Sequence, residues 1–284
     1  MSAAEIRGSD GVRLATYAEG PEGAPVLLFI HGWAQQSVCW RPVMDRLKDR
    51  FRVVAMDLRG HGASDKPEGE GPYTDTALWA DDVTAVIEGY GLEKPVLVGW
   101  SYGSRVIASY LSVHGDGALG GVVLAGGILT IGAAREDWMV GPSSPGVQRD
   151  LYTGDLPRRL AATAKFVREC TAQPLDTQAY GELVGANMLC PPHVRRALFA
   201  PTWDFRPVYA AMTCPGLVIH GVQDEVVSAA TGEAAAKLMQ DARSLQAAVA
   251  ELVRIYQVRD RDRICCHDIS VTQCHALEVL VTRG

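Results

Sequence analysis

Residues 95–103 read Pro95-Val-Leu-Val-Gly-Trp-Ser-Tyr-Gly103, a short apolar run that stops at a serine with a glycine two residues to either side. The apolar run predicts a strand that is buried on both faces, and residues 102–113 predict the helix that follows it. The turn between them must be tight, and side chains at the two glycines would clash with neighbouring backbone. The stretch therefore places Ser101 at the end of a buried strand, beside the amide groups of a helix N-terminus.

Outward from this stretch, the same rhythm of strand and helix extends in both directions. Further strands are predicted at residues 12–17, 26–30, 51–56, 121–125 and 216–220. Helices are predicted between them at residues 40–47, 76–90 and 229–239. This alternation indicates an α/β fold with a mostly parallel, doubly wound sheet. In such sheets the chemistry lies beyond the carboxyl ends of the strands.

Residues 133–204 interrupt the rhythm with helical pieces at 156–171, 178–188 and 193–199, separated by Pro and Gly. We interpret this stretch as a helical cap inserted into a core formed by residues 1–132 and 205–284. Three large apolar residues of the cap are candidates for lining a pocket and setting substrate preference: Trp138, Met188 and Trp203.

The composition is that of an ordinary globular enzyme, with 284 residues, 48% hydrophobic, 21% charged and a net charge of -6. The acidic balance argues against nucleic acid or an anionic membrane as a partner. The short basic clusters at 158–159, 195–196 and 259–263 are predicted to be solvated surface. The first residues lack the apolar core of a signal peptide, and no apolar run approaches the length of a membrane span, so a cytoplasmic location is expected.

The seven cysteines are odd in number and scattered, which indicates neither a disulfide framework nor a zinc site. They are Cys39, Cys170, Cys190, Cys214, Cys265, Cys266 and Cys274. Adjacent cysteines rarely chelate one ion together, so the Cys265-Cys266-His267 run is interpreted as free thiols beside a histidine rather than as a metal site.

The G-x-S-x-G pattern between a strand and a helix is the nucleophile elbow of acyl-transfer enzymes, so Ser101 is the candidate nucleophile. Two further turns carry a family resemblance: His31-Gly-Trp33 after one strand, and Asp57-Leu-Arg-Gly-His-Gly-Ala-Ser64 after another. With the elbow they resemble the α/β-hydrolase family, in its haloperoxidase-like serine esterase and lactonase branch. The resemblance implies an oxyanion hole formed by the backbone N–H groups of Trp33 and Tyr102. It leaves His31 and His61 as structural buttresses of the turns.

A triad acid is implied by the turn Gly221-Val-Gln-Asp-Glu-Val-Val227, which resembles the G-x-x-D-x-x-V turn of the family. In this alignment Asp224 would orient the imidazole of the base and stabilise its charged form. The alternative for Asp224 is a capping residue in a surface loop.

The base is the unusual part of the pattern. Chain order in the family places it after the acid, which leaves only His267 and His275. Residues 245–256, where the family has a strand, carry apolar residues at helical spacing instead. Two interpretations remain open: an insertion has moved the base to His275, behind an apparent strand at 269–273, or the tail from about residue 243 is unrelated sequence and the base is absent. The preferred candidate is His275.

The resemblance implies a serine hydrolase that cleaves a small or medium ester, or a lactone such as an acyl-homoserine lactone, without metal or organic cofactor. Haloalkane dehalogenases and epoxide hydrolases of this fold carry Asp at the elbow, so Ser101 disfavours them. The alternatives are a non-catalytic ligand-binding protein on the same fold and a cofactor-free haloperoxidase or perhydrolase. The sequence gives no oligomeric state.

Overall fold

The computed structural model describes residues 2–171 and 174–239. Within these residues, seven strands form one sheet in the order β1-β2-β4-β3-β5-β6-β9. These strands are β1 Ser2–Arg7, β2 Arg13–Glu19, β3 Val26–Ile30, β4 Arg52–Met56, β5 Val96–Trp100, β6 Gly121–Ala125 and β9 Gly216–Ile219. The first two pairings are antiparallel and the remaining ones are parallel. Because the chain crosses from β4 over β3 to β5, the strand order reverses between β3 and β5, where α/β folds place their sites.

The helices of the core connect these strands. They are α1 Arg41–Leu47, α2 Gly71–Thr74, α3 Thr76–Gly89, α4 Gly103–His114, α8 Arg206–Ala210 and α9 Ala229–Leu238. Asp75 caps α3 by accepting a hydrogen bond from Ala77 N, which satisfies one of the unpaired amides of its first turn. Gly115 ends α4 with φ 68°, a conformation that glycine adopts without penalty.

The two faces of the sheet are buried against different helices, as the continuous apolar strands predict. Along β3, Leu28 and Ile30 belong to the larger core cluster, which also includes residues of α3 and α4. Their neighbours Leu27 and Phe29 face the smaller cluster around α1. All four side chains are fully buried, so β3 is a rigid central support for the turn that follows it.

Residues 133–204, here called the inserted segment, leave and rejoin the core through a two-stranded pairing of β7 Thr130–Ile131 with β8 Trp203–Asp204. The segment contains short 3-10 turns followed by α5 Leu156–Glu169, α6 Thr177–Met188 and α7 Pro192–Ala197. Asp155 and Asp176 cap α5 and α6 through Arg158 N and Ala179 N. Over the described ranges, the structure contains no helix long and apolar enough to cross a membrane.

Candidate active site

Ser101 occupies the turn between β5 and α4 in the left-handed region, with φ 51°. This conformation is unfavourable for a residue with a side chain and persists only where the surroundings impose it. Its N–H continues the sheet by donating to Ala125 O at 2.9 Å. The side chain is half-buried, and its hydroxyl makes no hydrogen bond to any residue in the described ranges. The backbone of the turn is therefore fixed, while the Ser101 hydroxyl has no hydrogen bond to a described residue.

The two glycines of the elbow are explained by close backbone contacts. A Cβ at Gly99 would lie 2.8 Å from the carbonyl carbon of Gly103, and a Cβ at Gly103 would overlap Ile30 O of the neighbouring strand. Neither backbone neighbour can move aside, because both belong to the sheet or to the first turn of α4. The spacing of the motif follows from this contact.

Ser104 fixes the carbonyl side of the turn, a role that the motif alone does not predict. Its hydroxyl donates to Ser101 O at 2.7 Å and accepts from Ile128 N at 2.9 Å. The strained turn is thus tied both to its own helix and to the chain that follows β6.

The turn after β3 runs alongside Ser101, and this closeness supports its predicted role. A Cβ at Gly32 would lie 3.2 Å from the Cβ of Ser101. Neither Trp33 N nor Tyr102 N donates a hydrogen bond to another part of the described chain, although both residues are buried. Tyr102 follows Ser101 directly and Trp33 follows Gly32, so two amides without a partner in the described chain are available close to the serine for an oxyanion.

His31 and His61 are structural, as the sequence analysis expected. His31 Nε2 accepts from Leu58 N at 3.0 Å, so its Nδ1 carries the proton and donates to Gly32 O. His61 Nε2 likewise accepts from Ala34 N at 3.2 Å, and its Nδ1 donates to Arg59 O. Each neutral imidazole therefore uses both nitrogens to join the turn after β3 to the turn after β4.

This arrangement predicts how stability depends on pH. Burial lowers the pKa of His31 to about 4, and burial followed by repulsion from His31 lowers the pKa of His61 to about 3. In the unfolded chain both groups titrate at about 6.5, so their contribution to stability is complete above that pH and is lost below it. We expect the free energy of unfolding to fall by about 2 kcal/mol per pH unit between about pH 6 and 5, measured by urea denaturation.

The variant His61→Gln separates the two histidines in this experiment. Its amide oxygen can still accept from Ala34 N, but it does not titrate, so the slope should fall to about half of the wild-type value. A wild-type stability that stays level over the same interval, or an unchanged slope in the variant, contradicts the assignment.

Asp224 follows β9, and its carboxylate extends back toward β6. Its Oδ1 accepts from Val226 N at 2.8 Å and Val227 N at 2.9 Å. The other oxygen, Oδ2, would lie 3.4 Å from a Cβ at Gly126, at the end of β6. The carboxylate is thus fixed by its own loop, with one oxygen directed toward the strand next to the elbow.

His220 is the described imidazole that contacts this acid. Its Nε2 lies 3.2 Å from Asp224 Oδ2 and 2.9 Å from Val227 O. Burial lowers the pKa of His220, but the bonds to Asp224 and Val227 outweigh that effect, so the pKa is raised. The other nitrogen, Nδ1, is buried, has no partner within the described residues and faces Gly232 of α9. A triad base must offer that nitrogen to the nucleophile, so His220 has the wrong orientation to be the base.

The loop at residues 221–227, which carries Asp224 and is here called the acid loop, also forms hydrogen bonds with the start of the inserted segment. Val140 forms an antiparallel bridge with Val227. Backbone hydrogen bonds surround this bridge and join three pairs of atoms: Gly141 N with Val226 O, Ser143 N with Glu225 O, and Ser228 N with Met139 O. A Cβ at Gly141 would overlap Glu225 O, which explains the glycine there.

An aromatic cluster of the inserted segment, which no sequence motif indicated, covers the turn after β3. The Trp33 ring lies 5.6 Å from Tyr152, 5.7 Å from Phe166 and 6.3 Å from Phe199, between ring centroids. Phe199 also meets the Tyr102 ring edge-on at 5.5 Å. The inserted segment therefore packs directly on both residues of the predicted oxyanion hole.

Three residues were expected to line a pocket, and each of them lies in a different environment. Trp138 is 41% exposed, and its indole N–H donates to Glu136. Trp203 packs against Phe205 at 5.0 Å, and Met188 is half-buried at the end of α6.

The prediction that residues 195–196 are solvated surface was wrong for Arg195. Arg196 is exposed, but Arg195 is fully buried and donates only to neutral oxygens. The acceptors are Cys190 O, Leu151 O, Thr163 Oγ1, Asn187 O and Asn187 Oδ1. Leu151 and Thr163 are 44 and 32 positions away, so the local sequence does not indicate this burial.

Several candidates fall outside the described residues, namely His267, His275, the cysteines at 265, 266 and 274, and the basic run at 259–263. Within the described ranges, no group of three or more His, Cys, Asp or Glu side chains is placed to hold a metal ion.

The pattern of sheet, elbow and inserted helices has a counterpart among known families. The model of the alpha/beta hydrolase fold matches residues 25–249, which include the elbow, both neighbouring turns and the acid loop. The chain belongs to this family. The matched region ends before His267 and His275.

Individual relatives of this alpha/beta hydrolase include esterases. The bifunctional esterase/perhydrolase DCH of Acinetobacter calcoaceticus is 29% identical over 255 residues, covering 82% of this chain and 87% of its own. The crystal structure of esterase RhEst1 from Rhodococcus sp. ECU1013 is 36% identical with a TM-score of 0.80, covering 85% and 88% of the two chains. Bromoperoxidase from Bacillus anthracis shares the fold at 21% identity, with a TM-score of 0.72 over 91% of this chain and 100% of its own.

Proposed function

We propose that this hydrolase cleaves a carboxylic ester or lactone through an acyl-Ser101 intermediate. The observation that carries the proposal is the Ser101 turn, a strained conformation whose hydroxyl has no hydrogen-bond partner among the described residues and lies near two backbone amides that also have none there. An arrangement of this kind has a cost in folding and a use in acyl transfer.

In the proposed mechanism the Ser101 oxygen attacks the acyl carbon while a base removes its proton. The carbonyl oxygen becomes negative and is held by the N–H groups of Trp33 and Tyr102. Collapse of the adduct transfers the base's proton to the departing alkoxide and leaves the acyl-serine. Water, deprotonated by the same base, then attacks the acyl carbon. The second adduct collapses to release the acid, and the base returns its proton to the Ser101 oxygen.

The base in this proposal is His275, with Asp224 orienting it. Support from the described residues is by exclusion. His31 and His61 use both nitrogens, and His220 turns its other nitrogen toward α9. His193 Nε2 bonds to Pro67 O, and His114 lies at the far end of α4 from Ser101. His267 is the other candidate that chain order allows, and a tail without a base remains the competing interpretation.

We propose that the inserted segment acts as a cap whose aromatic cluster limits the acyl group. Phe199 contacts the rings of both Trp33 and Tyr102 and is itself half-buried. An apolar wall at this position favours short acyl chains, or the compact ring of a lactone such as an acyl-homoserine lactone.

The variant Phe199→Ala tests this wall. Removal of the ring should raise kcat/KM for p-nitrophenyl octanoate relative to that for p-nitrophenyl acetate by about tenfold. This factor is what the contacts of one or two methylene groups with a pocket typically contribute. Trp138→Ala is the matched control, because Trp138 is exposed and bonded to Glu136, and its ratio should not change. An equal loss for both esters, together with a lowered Tm, would show that Phe199 only attaches the cap to the core.

The test of the function itself is labelling with a fluorophosphonate, combined with assay of short esters and of an acyl-homoserine lactone. We expect one phosphonyl group per chain on the peptide containing Ser101, and parallel loss of hydrolysis. Ligand binding without labelling or turnover would favour the alternative, a non-catalytic protein on this fold.

A perhydrolase activity is the second candidate, and it is supported by the similarity to the esterase/perhydrolase DCH. In that reaction hydrogen peroxide replaces water as the nucleophile that attacks the acyl-serine, and the product is a peracid. Peracid formation from an acetate ester and hydrogen peroxide, abolished by Ser101→Ala, would establish it.

A further inference from the structure

The end of α7 meets the side chains of both predicted oxyanion residues. The last carbonyl groups of a helix have no partner within it and need donors from elsewhere. At the end of α7, Leu198 O accepts from the Tyr102 hydroxyl at 2.8 Å, and Arg195 O lies 3.5 Å from Trp33 Nε1. The same two residues that are predicted to supply the oxyanion hole therefore attach by their side chains to one helix end.

Arg195 fixes that helix end in place. Its guanidinium joins four points of the inserted segment, which are Leu151, Thr163, Asn187 and Cys190. It also lies over the Trp33 ring at 5.2 Å, a cation–π distance. No carboxylate of the described chain pairs with it, so this buried cation depends on those carbonyls and on the ring.

We propose that α7, anchored by Arg195, positions the two amides of the oxyanion hole through the side chains of Trp33 and Tyr102. Arg195 is then a positioning residue, and the inserted segment is part of the catalytic machinery as well as a cover for it. The inference rests on the proposed function. Its physical basis is that a small displacement of preorganised donors is enough to lower the rate strongly.

The decisive variant is Tyr102→Phe, which removes the hydroxyl bond to Leu198 O and keeps the ring and the backbone amide. We expect kcat for p-nitrophenyl acetate to fall about tenfold with KM nearly unchanged, since the ground state gains little from the hole. Inhibition by phenylboronic acid, which forms a tetrahedral adduct on serine, should weaken by a similar factor.

Tyr90→Phe is the matched control. Tyr90 is half-buried at the end of α3, and its hydroxyl bonds to Thr16 Oγ1 of β2 at 2.9 Å, among elements without a role in the proposed site. It should lower Tm as Tyr102→Phe does and leave kcat and boronate inhibition at wild-type values. If the two variants behave alike in kcat and inhibition, the proposal is wrong and the bond to Leu198 only supports folding.

Arg195→Lys adds a test of the anchor. Lysine keeps the charge but cannot reach four points with a fork of donors, so kcat and boronate inhibition should fall together as in Tyr102→Phe. Should this variant fail to fold, Tyr102→Phe still decides. Ser101→Ala separates the two proposals: if it is inactive while Tyr102→Phe equals the wild type, only the positioning role fails; if it remains active, the proposed function fails.

Discussion

Replacement of Ser101 by alanine is expected to reduce kcat for p-nitrophenyl acetate by about 10⁴-fold or more, with the fold intact. The hydroxyl makes no hydrogen bond to a described residue, so its loss leaves no buried partner unsatisfied. The substitution does not relieve the backbone strain at position 101, because alanine tolerates φ 51° no better than serine. The measurement is steady-state hydrolysis alongside a thermal melt, with Tm close to the wild-type value.

The matched control for this prediction is Ser112→Ala on α4, the helix that follows Ser101. Ser112 is exposed and bonds only to Ser109 O, one turn away, so both activity and Tm should stay near wild type. An active Ser101→Ala variant would show that hydrolysis, if present, uses a different nucleophile.

Replacement of His275 by alanine is expected to cost about 10³-fold or more in kcat, while His267→Ala keeps activity near the wild-type value. The reason is that a serine hydroxyl needs an adjacent base, and His31, His61 and His220 are committed elsewhere. Both variants are assayed on the same ester, and exogenous imidazole provides a rescue test for whichever is impaired.

The outcomes of this pair separate the interpretations of the tail. A loss confined to His267→Ala assigns the base to His267 instead. Full activity in both variants, with Ser101→Ala inactive, shows that no tail histidine is the base. Wild-type protein without turnover supports the tail lacking the family's base, and with it the ligand-binding alternative.

The fold was largely predictable because its signals are local. Strands such as β3 and β6 are short apolar runs buried on both faces, and their predicted bounds are confirmed. The helices α3 and α4 likewise begin and end within a residue or two of the prediction. Strand β1 was missed, because its edge sequence Ser-Ala-Ala-Glu-Ile-Arg carries no such run.

The parts of the site that were missed depend on contacts between distant residues. Arg195 has a basic neighbour, as a surface residue often does, and its burial follows only from acceptors up to 44 positions away. No motif singles out Phe199 in the sequence, and its contacts with the rings of Trp33 and Tyr102 arise only in the folded chain. Tertiary packing, and not propensity or motif, determines both.

The bridge between Val140 and Val227 has a consequence for protein engineering. Exchanging caps between related hydrolases is an obvious way to change what they accept, and residues 133–204 look like the unit to exchange. Yet residues 139–143 form backbone hydrogen bonds with the loop that carries Asp224, so a foreign graft would bring its own register to that loop. The workable crossover point lies after Ser143, which leaves the native residues before it paired with residues 225–228.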